Sequence, residues 1–558
     1  MKKLFVFLFA VAALLSSCTI SEPEAARPKQ EGVTLTFTAS FESNNPTRTV
    51  LDGTHVLWSP KDAIMVWYDG YFAGFQNSLT EPAPTCDFTG TLNLFSEIGA
   101  PDGKTEFGAI YPYYMTEDQS EYSYFYDDVF GGLFVLPEQD AVEGSFDKYA
   151  FPCVATTLDT HLYFRNICGG VIMRFSSGCE DYAGVVFRAN GMEPLAAYEV
   201  YATMVDFEDG AGEVPYVFQT EYGSPDVILY APDDGFKPGV DYYVPMLPCP
   251  LRAGFSIAFV RESGENLEVA VKKYTGAQEI KRSVFGRPGA LDTGLTWTEY
   301  NQTVENPSVI ERQWTIEDSD GTKYLFDIGH SIPGYSLLCE LDNPSFFSDD
   351  LHPYELARSL FGDIQINLQD YDAFYNITEV NASSLTCRLF NGSATYEDPY
   401  PSELVFTPVT SAVTPEYAGL WVEVDGQHYD IYISNTYPDM YDQFLEIADK
   451  NRGRLPIVYL NNYGTAEDFS NAKVKGKVAI VNRGEINFSE KVTNAYNAGA
   501  IGLLVVNNAD GVVYMNVDNA QQIPSGCLLQ EVGTKLVGKT LIDCYRPTLA
   551  EVLASLSE

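Results

Sequence analysis

Between Val33 and Ala39 the chain reads Val-Thr-Leu-Thr-Phe-Thr-Ala, the one-for-one alternation of a strand with one buried face. Asp52-Gly53 then sits between two β-prone runs within Thr49 to Trp58, a hairpin signal, and Asp62 to Trp67 supplies another strand. The same grammar recurs downstream. Gln313 to Ile316 and Lys323 to Ile328 flank Asp320-Gly321, and Leu420 to Val424 and His428 to Ile433 flank Asp425-Gly426. The period changes only near the C-terminus. There Lys477 to Val481 is a short apolar strand, and Asn487-Phe488-Ser489-Glu490 has the spacing of a helix-capping box. Phe488, Val492, Ala495 and Ala498 share one helical face, Gly499 stops the helix, and Ala500 to Val506 is a second apolar strand. Strand, helix and strand within roughly thirty residues predict a right-handed parallel crossover. A last helix over 547–558 would turn Leu549, Val552, Leu553 and Leu556 inward.

Composition bounds the function classes. Against 34 Lys and Arg stand 77 Asp and Glu, a formal charge of -43. A basic face for phosphates is out of reach, which argues against nucleic acid and against adsorption to anionic headgroups. At 45% hydrophobic and 14% aromatic the chain is nonetheless too apolar to be a disordered acidic polymer. Its 37 Tyr and 34 Phe favour strands, its 44 Gly and 31 Pro favour turns, and 558 residues suggest roughly three or four domains.

The first residues read as a targeting segment. Met1-Lys2-Lys3 is basic, and Leu4 to Leu15 is apolar but shorter than the roughly 20 residues a spanning helix needs. With Ser16-Ser17-Cys18 this segment resembles the lipobox of bacterial lipoproteins, which implies a signal peptide over 1–17 and a lipid on Cys18. The membrane would then be a partner through that anchor. The other reading is an ordinary signal peptide with an incidental Cys18. Residues 18–32 would be a tether, and its acidic start resembles the surface-export signal of lipoproteins of Gram-negative anaerobes. The expected location is therefore the outer membrane, facing outward. Nine further cysteines are sparse and odd in number, so they read as small buried hydrophobes.

Two family resemblances organise the rest. The Thr47-Arg48-Thr49 to Leu57-Trp58-Ser59 segment, Asp62, and the run Phe164 to Phe175 resemble the fimbrillin-like lipoproteins. That resemblance implies two β-sandwich lobes, 33–160 and 161–297, with Phe164 to Phe175 opening the second. It also raises cleavage after Arg48 with strand exchange; the alternative makes Arg48 part of the hairpin motif. Residues 298–400 form a β module of no recognised family, and 401–439 are strands leading onward. From Val474 to Val481, Asn482-Arg483-Gly484, Phe488 to Val492, Ala498 to Gly502 and Asn507-Asn508 resemble the protease-associated (PA) domain over 440–546. The expected fold is thus mainly β, with tandem sandwich lobes and a β module before an α+β PA domain containing a βαβ crossover.

Candidate chemistry is sparse. The five His lack metal-pair spacing, and His352-Pro353-Tyr354-Glu355 reads as a loop. No G-x-S-x-G elbow, Walker loop or EF-hand occurs, and Glu317 to Gly321 fits a hairpin turn. The expectation is no catalytic residue, metal or cofactor. PA domains are usually non-catalytic, so the resemblance implies a recognition surface. The candidate ligand loop is Arg483, Gly484, Asn487 and Phe488, where helix N–H groups could receive an anion; alternatively Arg483 pairs with an acid and shapes the turn. The leading reading is a non-catalytic surface lipoprotein for adhesion or for protein or peptide binding, with a glycan ligand also open. The alternatives are an accessory or tip subunit of a fimbria, and an enzyme with an unrecognised hydrolase site in 298–450.

Overall fold

The computed structural model describes residues 31–42, 57–94, 101, 103–113, 123–206, 213–264, 266–289, 291–347, 350–369, 374–390, 394–395, 403–433, 439–470, 472–509, 511–513, 515–517, 523–537 and 542–555. Cys18, the signal and tether segments, Arg48, the Asp52-Gly53 turn and Leu556 lie outside them. The described residues are mainly β, 50% strand against 11% helix, as the alternating pattern predicts.

The alternating N-terminal run is the strand Glu31–Phe41. It pairs antiparallel with Thr85–Leu94 and parallel with His161–Asn166, and seven strands close on themselves as a barrel. Aromatic rings fill it. Trp58 is wholly buried, stacks on Phe41 at 4.0 Å, and meets Phe88, Tyr111 and Phe164 edge-on. Its indole N–H donates to the Ala39 carbonyl at 3.1 Å, so the ring is buried with its polar atom satisfied. Asp62 is also buried. Its carboxylate accepts from the Ser59 N–H at 2.7 Å and the Tyr111 hydroxyl at 3.2 Å. The Trp58-Ser59 and Asp62 signature is therefore a turn brace.

The hydrogen bonding crosses residue 160 in both directions. Tyr124–Tyr126 and Val129–Val135 join the sheet of Ala196–Asp206, and Glu138–Asp140 pairs with Asp226–Tyr230. His161–Asn166 returns to the barrel. The run expected as one opening strand is two: its start pairs in the barrel, and Gly169–Arg174 pairs with Asp241–Met246 in a different sheet. Alternation identifies a strand and its buried face but does not choose its partner. One apolar core accordingly runs from Phe37 to Leu291 through both regions.

The third module is an eight-stranded antiparallel barrel from Gln313–Glu317 to Glu403–Pro408, filled by Trp314, Phe326, Ile366, Leu385 and Phe406. Its last strand, beyond residue 400, closes it against both Gln313–Glu317 and Leu385–Phe390. Asp318 accepts from the Asp320 and Thr322 N–H groups at 2.9 Å each, which makes the Asp320-Gly321 turn. His352 to Glu355 lies within the strand Leu351–Arg358 and not in a loop; three residues apart on a strand, His352 and Glu355 face opposite sides. The module docks on the second region through Arg188. This buried side chain pairs with Asp226 at 2.6 and 2.5 Å, reaches Ser359 and Asp363 at 3.2 Å, and lies 4.3 Å over the Phe361 ring.

The C-terminal part packs two sheets. Trp421–Val424, Gln427–Asp430 and Ile542–Tyr545 form an antiparallel trio. In the other, Ile457–Tyr459, Val478–Asn482, Gly502–Val506 and Ser525–Leu528 run parallel in chain order, with Tyr432–Ile433 antiparallel at the edge. Helices α1 (Asp439–Lys450), α2 (Ala466–Ser470), α3 (Phe488–Asn497), α4 (Gln530–Leu536) and α5 (Leu549–Ser555) complete it. Val478, Ile480 and Leu504 pack with Phe444 and Val532 on one side, and Ala479, Val481 and Leu503 with Val492 and Ala495 on the other. Two covered faces explain the nearly unbroken apolar strands. Val552 of α5 is buried against Trp421 and Leu325, tying this part to the third module. All nine cysteines after Cys18 are buried.

Candidate functional site

The C-terminal ends of parallel strands are where an open α/β sheet leaves a crevice, because connecting loops diverge there. In this sheet the crevice is a groove of about 450 Å³, lined from the ends of three strands by Tyr459, Asn482 and Val506 and from α4 by Gln530 and Gly533. Arg483, Gly484 and Glu485 form one rim, and Asn461 and Tyr463 another.

Arg483 follows the strand Val478–Asn482, and its backbone N–H extends the sheet by donating to Val506 O at 2.9 Å. Its guanidinium donates to Asn507 Oδ1 at 2.9 Å and rests 5.9 Å from the Phe488 ring. Among the described residues it makes no ion pair. Asn507 is buried and fixed from several sides. Its Oδ1 also accepts from the Asn508 N–H at 2.9 Å, its Nδ2 donates to Gly511 O at 2.7 Å, and its own N–H donates to Leu528 O at 2.8 Å. A guanidinium held by a neutral amide keeps its charge for whatever enters the groove.

Gly484 turns the chain with φ at 125°, and a Cβ there would stand 3.2 Å from the Tyr463 ring. Asn487 is the N-cap of α3, its Oδ1 accepting from the Glu490 N–H at 2.8 Å. That bond takes one of the amides expected to face an anion. The four expected loop residues therefore divide: Arg483 and Gly484 line the groove, Phe488 supports Arg483, and Asn487 holds the helix.

Lys491 is the residue the sequence reading passed over. Its side chain is wholly buried, and its ammonium donates to the Tyr463 carbonyl and, at 2.8 Å, to the Gly484 carbonyl. One helix thereby ties together both rim loops, helped by Asn494 donating to Gly464 O at 3.2 Å. Burial pushes the Lys491 ammonium below its ordinary value, opposed by Glu485, Asp468 and Glu490. The signal was present: 488, 491, 495 and 498 share helical spacing, so a lysine stands in the apolar stripe. Tyr459 is the other omission. Its hydroxyl donates to Asn461 Oδ1 at 2.9 Å and lies 3.3 Å from Asn482 Oδ1, presetting a strip of amides.

Comparison with known proteins centres on this part. The minor extracellular protease Vpr of Bacillus subtilis is 46% identical over 74 residues, 13% of this chain and 9% of that protein. A C5a peptidase of Streptococcus pyogenes is 34% identical over 105 residues, 16% of this chain and 9% of its own. The chain thus spans under a tenth of these relatives. Among solved structures, an aminopeptidase from Aneurinibacillus sp. strain AM-1 aligns over 24% of this chain and 31% of its own, at 20% identity and a TM-score of 0.18. BSAP, a zinc aminopeptidase from Bacillus subtilis, aligns over 23% of this chain and 29% of its own, at 21% identity and a TM-score of 0.17. Residues 453–536 match the family described as the PA domain, so the groove, its two rims and α3 all belong to a PA (protease-associated) domain.

Proposed function

We propose that this chain works by binding: a lipid-anchored, outward-facing surface protein whose PA domain holds an extended protein or peptide segment in the groove at Arg483. The carrying observation is the Arg483 guanidinium, oriented by buried Asn507 and without an ion pair among the described residues. In a chain of charge -43 such a cation selects a carboxylate, from an acidic side chain or a peptide C-terminus. The amides and phenols beside it suit a peptide backbone, which both donates and accepts.

The same lining favours binding over bond-breaking. Among the described residues it contains no His, Cys or Ser, Glu485 is its one carboxylate, and Thr534 donates its hydroxyl to Glu531 O at 2.7 Å. A hydrolase site in 298–450 is the second reading, prompted by relatives that are named proteases but are similar mostly in the PA region. The residue types suited to it, Asp327, His330 and Ser331, form a turn. Asp327 accepts the His330 and Ser331 N–H groups at 3.0 Å and the Ser331 hydroxyl at 2.5 Å, so that hydroxyl faces the carboxylate.

The test is fluorescence anisotropy of the full chain against labelled acidic peptides, each with a free and an amidated C-terminus. Arg483→Ala is expected to weaken binding about tenfold, the scale of one charge-assisted contact, while leaving the melting temperature in place. Peptide cleavage abolished by a single substitution in 298–450 would replace this reading with the hydrolase one.

A further inference from the structure

The solvent face of an antiparallel sheet is ordinarily polar. In the sheet that joins Tyr124–Tyr126, Val129–Val135, Ala196–Asp206 and Glu213–Ser224, that face carries a row of aromatic rings. Tyr124 is 41% exposed, and Tyr126, on the same face by two-residue alternation, is 67% exposed. Tyr124 stands opposite Gly131, where a Cβ would fall 2.3 Å from its ring. Glycine therefore lets the ring lie across the neighbouring strand, with its other face open to water. Two strands over, the Tyr201 ring is centred 6.4 Å from Tyr124, and Phe218 continues the row 6.5 Å further on. The row runs across the strands.

Beside it lies an arrangement that sheet stability alone does not favour. Glu199 and Glu221 are directly opposite in register, and like charges so placed repel. No ion pair relieves either one among the described residues. Each is aimed by a neutral donor: the Tyr201 hydroxyl gives to Glu199 Oε2, and Gln219 Nε2 gives to Glu221 Oε1, both at 2.7 Å. The remaining oxygens are acceptors only, so they call for hydroxyl or N–H donors from outside.

From this juxtaposition we propose that the face is a binding platform for a neutral glycan chain. Sugar rings would lay their C–H faces on Tyr126, Tyr124 and Tyr201 and donate hydroxyls to Glu199 and Glu221. Aromatic faces carry negative charge density and attract the positive edges of C–H groups. The carboxylate pair repels acidic polysaccharides and acidic protein segments at this face. A protein partner would seek pockets for its anchors, and a row of rings tilted 59° and 47° to one another offers ring faces along a line instead.

The test is affinity electrophoresis of the full chain in gels containing laminarin, xylan or mannan, with polygalacturonate and heparin as anionic polymers. A neutral polymer is expected to retard the chain. Tyr126→Ser, at a position 67% exposed, and Glu199→Gln should each weaken retardation about tenfold, with the melting temperature checked for each variant. Arg483→Ala should leave it unchanged, which separates this platform from the PA groove. The proposal is overturned if no neutral polymer retards the chain, if only the anionic ones do, or if both platform variants bind like the parent.

Discussion

The barrel around Trp58 and the PA sheet bury similar strands by opposite means. The barrel fills its interior with rings, Phe37, Trp58, Phe75, Phe88 and Phe164, and its strands pair with partners as far as 123 residues away, as Ser40 does with Tyr163. The PA sheet fills both faces with Val, Ile and Leu from parallel strands that neighbour one another in sequence and in space. Where partners are distant, the signature residues Trp58 and Asp62 are consumed in holding the barrel. Where partners are local, the strand ends converge, and Asn482, Arg483 and Asn507 meet at one rim. A motif thus means architecture in the first region and a candidate site in the last.

Three substitutions would break or sharpen that contrast. The largest effect is expected from Trp58→Ala, which empties the centre of the ring cluster and should cost about 3–5 kcal/mol. Hydrogen exchange should show deprotection across both 31–166 and 169–291, because they share one core, with the PA sheet unmoved. Deprotection confined to 31–166 would separate the two regions.

Lys491→Met comes next. It leaves the Tyr463 and Gly484 carbonyls without their donor, at about 1–3 kcal/mol, and should loosen 459–464 and 483–487 together in hydrogen exchange. This variant also carries a pH signature. The native ammonium sits below its ordinary value, so between that lowered value and about 10.4 the unfolded chain holds the extra proton. Lys491 therefore makes stability rise with pH across that window. Tyrosine and cysteine groups with raised values act the other way, so the quantity to read is wild type minus Lys491→Met by urea denaturation. A difference flat with pH would contradict the burial argument.

The smallest effect is expected from Asn487→Ala, about 1 kcal/mol for losing the cap on the Glu490 N–H. Peptide affinity should fall far less than with Arg483→Ala, since Asn487 serves the helix. Equal losses in the anisotropy assay would place Asn487 in the binding surface after all.

Legibility in the sequence follows the same divide. The hairpin at Asp320-Gly321, the parallel crossover around α3 and the Arg483-Gly484 rim were readable, because each is a short-range pattern of turn residues, periodicity and caps. The interleaving of 124–140 with the second region was not, since alternation specifies a face and leaves the partner open. The split at Ile167-Cys168 was hidden for a related reason: the run stays apolar while the chain changes sheets. Within the site, Lys491 was masked by its charge, which usually marks a solvated face. Asn507 and Tyr459 were masked because their roles arise only when strand ends from three places meet.

Arg188 has a practical consequence for anyone who would cut this chain into pieces. Two carboxylates, a serine hydroxyl and an aromatic ring from either side of residue 298 all close on that one guanidinium. A fragment ending at 297 would keep Arg188 and Asp226 but lose the cover of Phe361, and a fragment starting at 298 would display Phe361 to water. A piece that leaves this contact whole has to carry Arg188 and Asp226 together with the turn from Ser359 to Asp363. Boundaries drawn for crystallisation or for grafting the PA domain onto another carrier should respect it.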